Sequence, residues 1–105
     1  MDAFDRLESV IVSRIGGDPT QSYVAKLHAR GTGKIAQKVG EEAVECVIAA
    51  CSDDRAGLIG EAADLMFHLT VLLADRGITL DDVRAELTAR EGRSGIAEKA
   101  ARPKE

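Results

Sequence analysis

The chain has 105 residues, 45% of them hydrophobic and 30% charged, with 14 Lys+Arg against 18 Asp+Glu and a net charge of -4. That length holds one compact domain with a thin core of its own, so pairing with a second copy is an early expectation. An acidic chain with no run of Lys and Arg lacks the electrostatic footprint of a DNA- or RNA-binding protein, and nucleic acid is not an expected partner.

Helix formers dominate and no stretch alternates with period two, so the sequence predicts an all-α helical bundle of about five helices, its core completed by dimerisation. A first helix over about Asp2 to Ile15 places Phe4, Leu7, Ile11 and Ile15 on one stripe, and Gly16-Gly17-Asp18-Pro19 ends it. A second, about Thr20 to Arg30, is expected to bury Tyr23, Val24 and Leu27, with Gly31 at its C-terminal cap. A third, about Lys34 to Cys51, carries Ile35, Val39, Ala43, Cys46, Val47 and Ala50 on a broad apolar side, and Ser52-Asp53-Asp54 makes the turn after it. The fourth, about Arg55 to Arg76, is apolar nearly all round after Asp64 and is expected to be the central helix, buried on several sides. Gly77 closes it, and Thr79 with Asp82 forms a capping box for a last helix bearing Leu80, Val83 and Leu87 and ending near Glu91. The domain is thus expected over residues 1–91. The tail over 92–105 is small and charged, with Ile96 as its one apolar anchor and the expectation of a frayed terminus.

Residues 1–6 have two aspartates and no apolar signal core, and the most apolar run, 65–73, is interrupted by His68 and Thr70 and falls short of the roughly 20 residues that span a bilayer. A cytoplasmic protein with no membrane partner is expected. Cys46 and Cys51 lie in an apolar helical stretch and read as reduced core residues.

The informative residues are carboxylates. Glu41, Glu42 and Glu45 fall within an arc of about 100° on the third helix, and like charges so placed repel. Glu61 and Asp64 share a face of the fourth helix where it turns apolar, and a hairpin turning at 52–54 brings the two acidic faces together. Five carboxylates with no equal stock of cations suit a hard ion such as Mg²⁺ or Mn²⁺, and Mg²⁺ usually shares its shell with substrate phosphates. Lys34 and Lys38 precede the cluster along the arc of Glu45, where such phosphates could be met, or where a salt bridge to the glutamates would form instead. His68 follows Asp64 by one turn and reads either as a satisfied core histidine or as a ligand; its spacing from Glu61 does not fit the Glu-x-x-His pairs of a di-iron bundle.

Four stretches together carry a family resemblance: SYVAKL (22–27), KVGEEAVE (38–45), EAADLMFHLTVLL (61–73) and GITLDDV (77–83). The chain resembles the phosphoribosyl-ATP pyrophosphatases of histidine biosynthesis, within the all-α NTP pyrophosphohydrolase (MazG-like) superfamily. The resemblance implies a nucleotide-binding hydrolase that cleaves the α–β phosphoanhydride of phosphoribosyl-ATP, giving phosphoribosyl-AMP and pyrophosphate. It implies Mg²⁺ ligands at Glu42, Glu45, Glu61 and Asp64, catalytic work by Glu41, Glu42 and Glu45, and phosphate contacts from Lys34 and Lys38. His68 and Tyr23 are candidates for the rest of the substrate. A homodimer or larger homo-oligomer is implied as well. Phe67 and Cys51 stand where the family usually has Tyr and Lys, and Glu98–Arg102 is similar to the family's C-terminal end. Two other readings remain open on sequence: a (d)NTP pyrophosphohydrolase of the same superfamily, and a non-catalytic helical dimerisation module.

Overall fold

The computed structural model describes residues 1–92, and the helices in it are α1 (Ala3–Arg14), α2 (Tyr23–Arg30), α3 (Thr32–Cys51), α4 (Arg55–Asp75) and α5 (Leu80–Ala89). No strand occurs among the described residues, and the all-α expectation holds. The expectations for residues 93–105 of the tail, Ile96 and Glu98–Arg102 included, lie outside the described residues.

The helix ends follow local chemistry. Asp2 caps α1 in a reciprocal box with Asp5, and Thr79 does the same for α5 with Asp82. α2 begins three residues later than its pattern predicts. Asp18 accepts from both the backbone N–H and the hydroxyl of Thr20, which holds a turn there, and Ser22 is the residue that caps the helix, accepting from Ala25 N–H. α3 begins two residues earlier, because Gly31, at φ +95°, ends α2 while its carbonyl already accepts from Lys34 and Ile35. Asp54 caps α4 after a turn in which Asp53 adopts φ +53°.

α3 and α4 form the antiparallel hairpin that dominates the packing, with α1 laid on α4 and α2 on α3. The core is one cluster of Ile11, Val24, Leu27, Ile35 and Val71, edged by Leu7, Ile15, Phe67, Leu72 and Ala74. The expectation that α4 is buried on several sides is corrected: only His68, Thr70 and Val71 of its 21 residues are buried. The reason is length, since α4 runs about 31 Å while α1 and α2 cover about 18 and 12 Å. Leu58, Ile59, Met66 and Leu69 consequently stay exposed, as do Val44, Val47 and Ile48 on α3. Cys51 is exposed too and Cys46 half-buried, so neither is a core residue; both are free thiols. α4 is long and apolar enough, by length and composition alone, to cross a membrane, which the nine-residue run of the sequence reading did not show. It carries Glu61, Asp64, His68 and Asp75 and packs against α1, α2 and α3.

α5 buries no residue and is tied to the rest by polar contacts: Leu80 N–H donates to Glu8 at 2.6 Å, and Arg84 bridges Asp5 at 3.0 Å. A carboxylate at a helix N-terminus is favourably placed against the helix dipole.

One polar junction locks the C-terminal end of α4. The Asp75 side chain, 6% exposed, accepts from Thr32 Oγ1 at 2.7 Å and from His28 Nδ1 at 2.9 Å, so it joins three helices. The Thr32 hydroxyl first, then His28, hold its carboxyl below the usual carboxylate range. A carboxyl lowered by folding contributes stability above its unfolded value, near pH 4, and loses it as pH falls through the lowered one. Asp75→Asn is therefore expected to cost about 1 to 3 kcal/mol at neutral pH in urea titrations, and to flatten the fall of stability below pH 4. An unchanged acid limb in the variant would show that Asp75 is not its source.

Candidate active site

The hairpin decides which carboxylates meet. Glu42 from α3 and Glu61 and Asp64 from α4 each offer an oxygen, all within 4.8 Å of one another. Glu45, also expected in this set, lies outside that triad, exposed, but close enough for its charge to act on Glu61. Partial burial first, then the charges of Asp64, Glu42 and Glu45, push the Glu61 carboxyl above its ordinary range. The same surroundings raise the thiol of Cys46: desolvation first, then Glu61, Glu42 and Asp64.

Glu41 is turned away from the triad. It accepts from Gln37 Nε2 at 3.2 Å and pairs with Lys38 at 3.5 Å, and the Gln37 contact, then Lys38, hold its carboxyl low. Lys38 reaches Glu42 at 3.8 Å as well, so both the salt bridge and the place beside the acidic cluster anticipated for it are present. Lys34 lies one turn further back, on the wall of a hollow between α2 and α3.

His68 is buried, 6% exposed, one turn beyond Asp64. Its Nδ1 sits 2.8 Å from the Asp64 carbonyl, which can only accept, so Nδ1 carries a proton, and Nε2 hydrogen-bonds the Tyr23 hydroxyl at 2.8 Å. Both ring nitrogens are thereby engaged. Tyr23, expected in the core, is 48% exposed: its hydroxyl is held by His68 and its ring stacks on Phe67, but its other side lines the open hollow.

Carboxylate oxygens from two rigid helices, with burial and mutual repulsion working against their charge, form a donor set that a hard divalent cation fits. Glu42, Glu61 and Asp64 are the residues that could hold it.

The family described as Phosphoribosyl-ATP pyrophosphohydrolase matches residues 4–91, which takes in all five helices but for Ala3. The chain belongs to the phosphoribosyl-ATP pyrophosphohydrolase family. Relatives named phosphoribosyl-ATP pyrophosphatase include a Rhizorhabdus wittichii protein, 65% identical over 95% of this chain and 94% of its own length, and a Novosphingobium aromaticivorans protein, 62% identical over 92% and 91%. A Rhodobacter capsulatus relative of the same name is 57% identical over 97% and 99%. As a member of this family the chain is a hydrolase.

Two residues of this phosphoribosyl-ATP pyrophosphohydrolase family member escaped the sequence reading. Lys26 and Arg30 of α2 line the same hollow as Lys34 and Lys38. The available signal was the absence of any Asp or Glu from 19 to 40 beside four cations spaced four apart.

Proposed function

We propose that the chain hydrolyses the α–β phosphoanhydride of phosphoribosyl-ATP to phosphoribosyl-AMP and pyrophosphate, as a cytoplasmic enzyme of histidine biosynthesis. The observation that carries this reading is the meeting of Glu42, Glu61 and Asp64 across the α3–α4 hairpin in a chain of this family. These three would hold Mg²⁺, or Mn²⁺ in its place, with Glu45 beside them. The bound ion would neutralise phosphate charge and make the attacking water more acidic.

The chain's own groups supply the rest. The three carboxylates stand on two packed helices, so their positions do not depend on a loop. A water oxygen bonds to the α-phosphorus, the bridging α–β P–O bond breaks, and pyrophosphate leaves with the bonding pair. Glu45, exposed and outside the triad, takes the proton of that water. Glu41, held low by Gln37 and Lys38, serves to fix Lys38. Lys38 and Lys34 meet phosphate oxygens. His68 acts on the substrate through Tyr23, whose ring it orients.

Pyrophosphate release from phosphoribosyl-ATP, with and without Mg²⁺, beside ATP, dCTP and dUTP and with Glu42→Gln as control, tests the reading. Metal-dependent release from phosphoribosyl-ATP, lost in the variant, is the expected result. Release from a dNTP alone moves the chain to the (d)NTP reading, and none from any of the four favours a non-catalytic module.

We also propose that the enzyme is a homodimer joined through α4. Ile59, Ala62, Met66 and Leu69 centre about 150° round that helix from Glu61 and Asp64, so a second copy can cover the apolar face and leave the carboxylates open.

A further inference from the structure

We infer that the hollow between α2 and α3 is a second anion site, which grips the 5-phosphate of the substrate's phosphoribosyl arm and so separates phosphoribosyl-ATP from ATP. The inference rests on the substrate proposed above and names the residues that select it.

Lys26 and Arg30 of α2 and Lys34 and Lys38 of α3 follow one another at intervals of four in sequence, and Gly31, at φ +95°, turns the chain so that all four line one hollow of about 240 Å³. Glu41 lines the hollow as well, and among the described residues it and Glu42 pair with Lys38 alone of the four. No carboxylate of the described residues lies within salt-bridge distance of Lys26, Arg30 or Lys34. Three like charges around one concavity repel unless an anion joins them. The first turn of α3 lies at the same place, and Gly31 supplies no side chain to cap its free N–H groups, so the positive end of that helix adds to the field.

Size and distance decide which anion. Whole ligands of drug size occupy roughly 300 to 1,000 Å³. The hollow is smaller, and suits a phosphate with its sugar. Lys34 precedes Glu42 by eight residues, about 12 Å along α3, and Arg30 adjoins it across the turn at Gly31, with Lys26 on the same wall of the hollow. A triphosphate whose scissile bond lies at Glu42, Glu61 and Asp64 meets Lys38 at the near end of the hollow, which leaves Lys34 and Arg30, beside the turn at Gly31, for another group. Phosphoribosyl-ATP differs from ATP by a phosphoribosyl group, which puts an isolated phosphomonoester at the end of the molecule away from the triphosphate. The half-exposed ring of Tyr23, on the wall of the hollow, lies where the intervening purine and sugars pass.

The test is steady-state hydrolysis of phosphoribosyl-ATP by wild type, Arg30→Gln and Lys26→Gln, with ribose 5-phosphate and pyrophosphate as competing anions. Loss of one charged hydrogen bond predicts that KM rises about 10- to 100-fold in each variant while kcat holds within a few-fold. Ribose 5-phosphate inhibition should weaken by a similar factor, and pyrophosphate inhibition should stay. Equal weakening of both inhibitors would assign the hollow to the triphosphate and overturn the inference, as would an unmoved KM or a loss confined to kcat. Both positions are on the surface of α2, and far-ultraviolet circular dichroism identifies a variant that has lost its fold; the other variant then carries the comparison. A wild type inert on phosphoribosyl-ATP overturns the proposed substrate itself, and is told apart because it needs no variant.

Discussion

Glu61→Gln is expected to leave the chain folded, to hold or raise its melting temperature without metal, and to cut hydrolysis by about 10²- to 10³-fold, the loss that follows removal of one strong charge-stabilising contact in an active site. The two halves of this result have one cause. Partial burial and the charges of Asp64, Glu42 and Glu45 raise the Glu61 carboxyl, so its ionised form is disfavoured by folding. A group whose folded pKa lies above its unfolded one contributes stability below the unfolded value and loses it as pH rises through the folded one. At neutral pH the ionised Glu61 therefore opposes the fold, and a neutral amide of the same shape removes that opposition. Mg²⁺ should raise the wild-type melting temperature, because a ligand that binds only the native state stabilises it, and the variant should lose most of that rise. Differential scanning calorimetry with and without Mg²⁺, run beside the pyrophosphate assay, reads both. A marked fall in the metal-free melting temperature would mean that Glu61 is a structural partner, and would sink its assignment as a ligand.

The legible part of this site was the part written along single helices. Glu61 and Asp64 share a face because they are three apart, Glu42 lies within the acidic arc of α3, and the turn at 52–54 leaves the two faces opposite each other. The helices themselves were legible for the same reason, and the boundary differences came from bonds that periodicity does not register: Asp18 with Thr20 ahead of α2, and the Gly31 carbonyl with Lys34 and Ile35 at the start of α3. What crossed between elements was not legible. Lys26 and Arg30 join Lys34 only through the turn at Gly31, and the Tyr23 hydroxyl finds His68, 45 residues away, while its ring faces the hollow. Glu41 and Glu42, adjacent in sequence, part company because successive helical residues point about 100° apart, which sends one to Gln37 and the other to the triad. The apolar character of α4 was read correctly and its consequence only in part. The periodicity shows that the helix needs cover on several sides, and among the described residues α1, α2 and α3 leave the face of Ile59, Met66 and Leu69 open.

Met66→Glu carries the second large effect. In the proposed homodimer the contact is the same patch on both copies, so one substitution acts twice. Met66 is exposed in the isolated chain, between Ile59 and Leu69, a stretch of that face with no charged residue. Burying a side chain of this size contributes about 1.5 to 3 kcal/mol. Losing two of them weakens association by roughly 10²- to 10⁴-fold, and the two carboxylates brought together without partners add to the loss. Sedimentation at micromolar concentration is expected to show a dimer for wild type and a monomer for Met66→Glu. The wild-type melting temperature should rise with protein concentration, while that of the variant should be lower and independent of it. Arg84→Gln, on the polar attachment of α5, should leave the assembly as it is. A wild type that sediments as a monomer throughout the concentration series would overturn the dimer. The exposed face of α4 would then have to be tolerated in water, leaving a core of five large side chains, Ile11, Val24, Leu27, Ile35 and Val71, to hold four helices together. That is a small store of apolar burial against the conformational entropy of more than ninety ordered residues, and this imbalance is the physical ground for expecting the second copy.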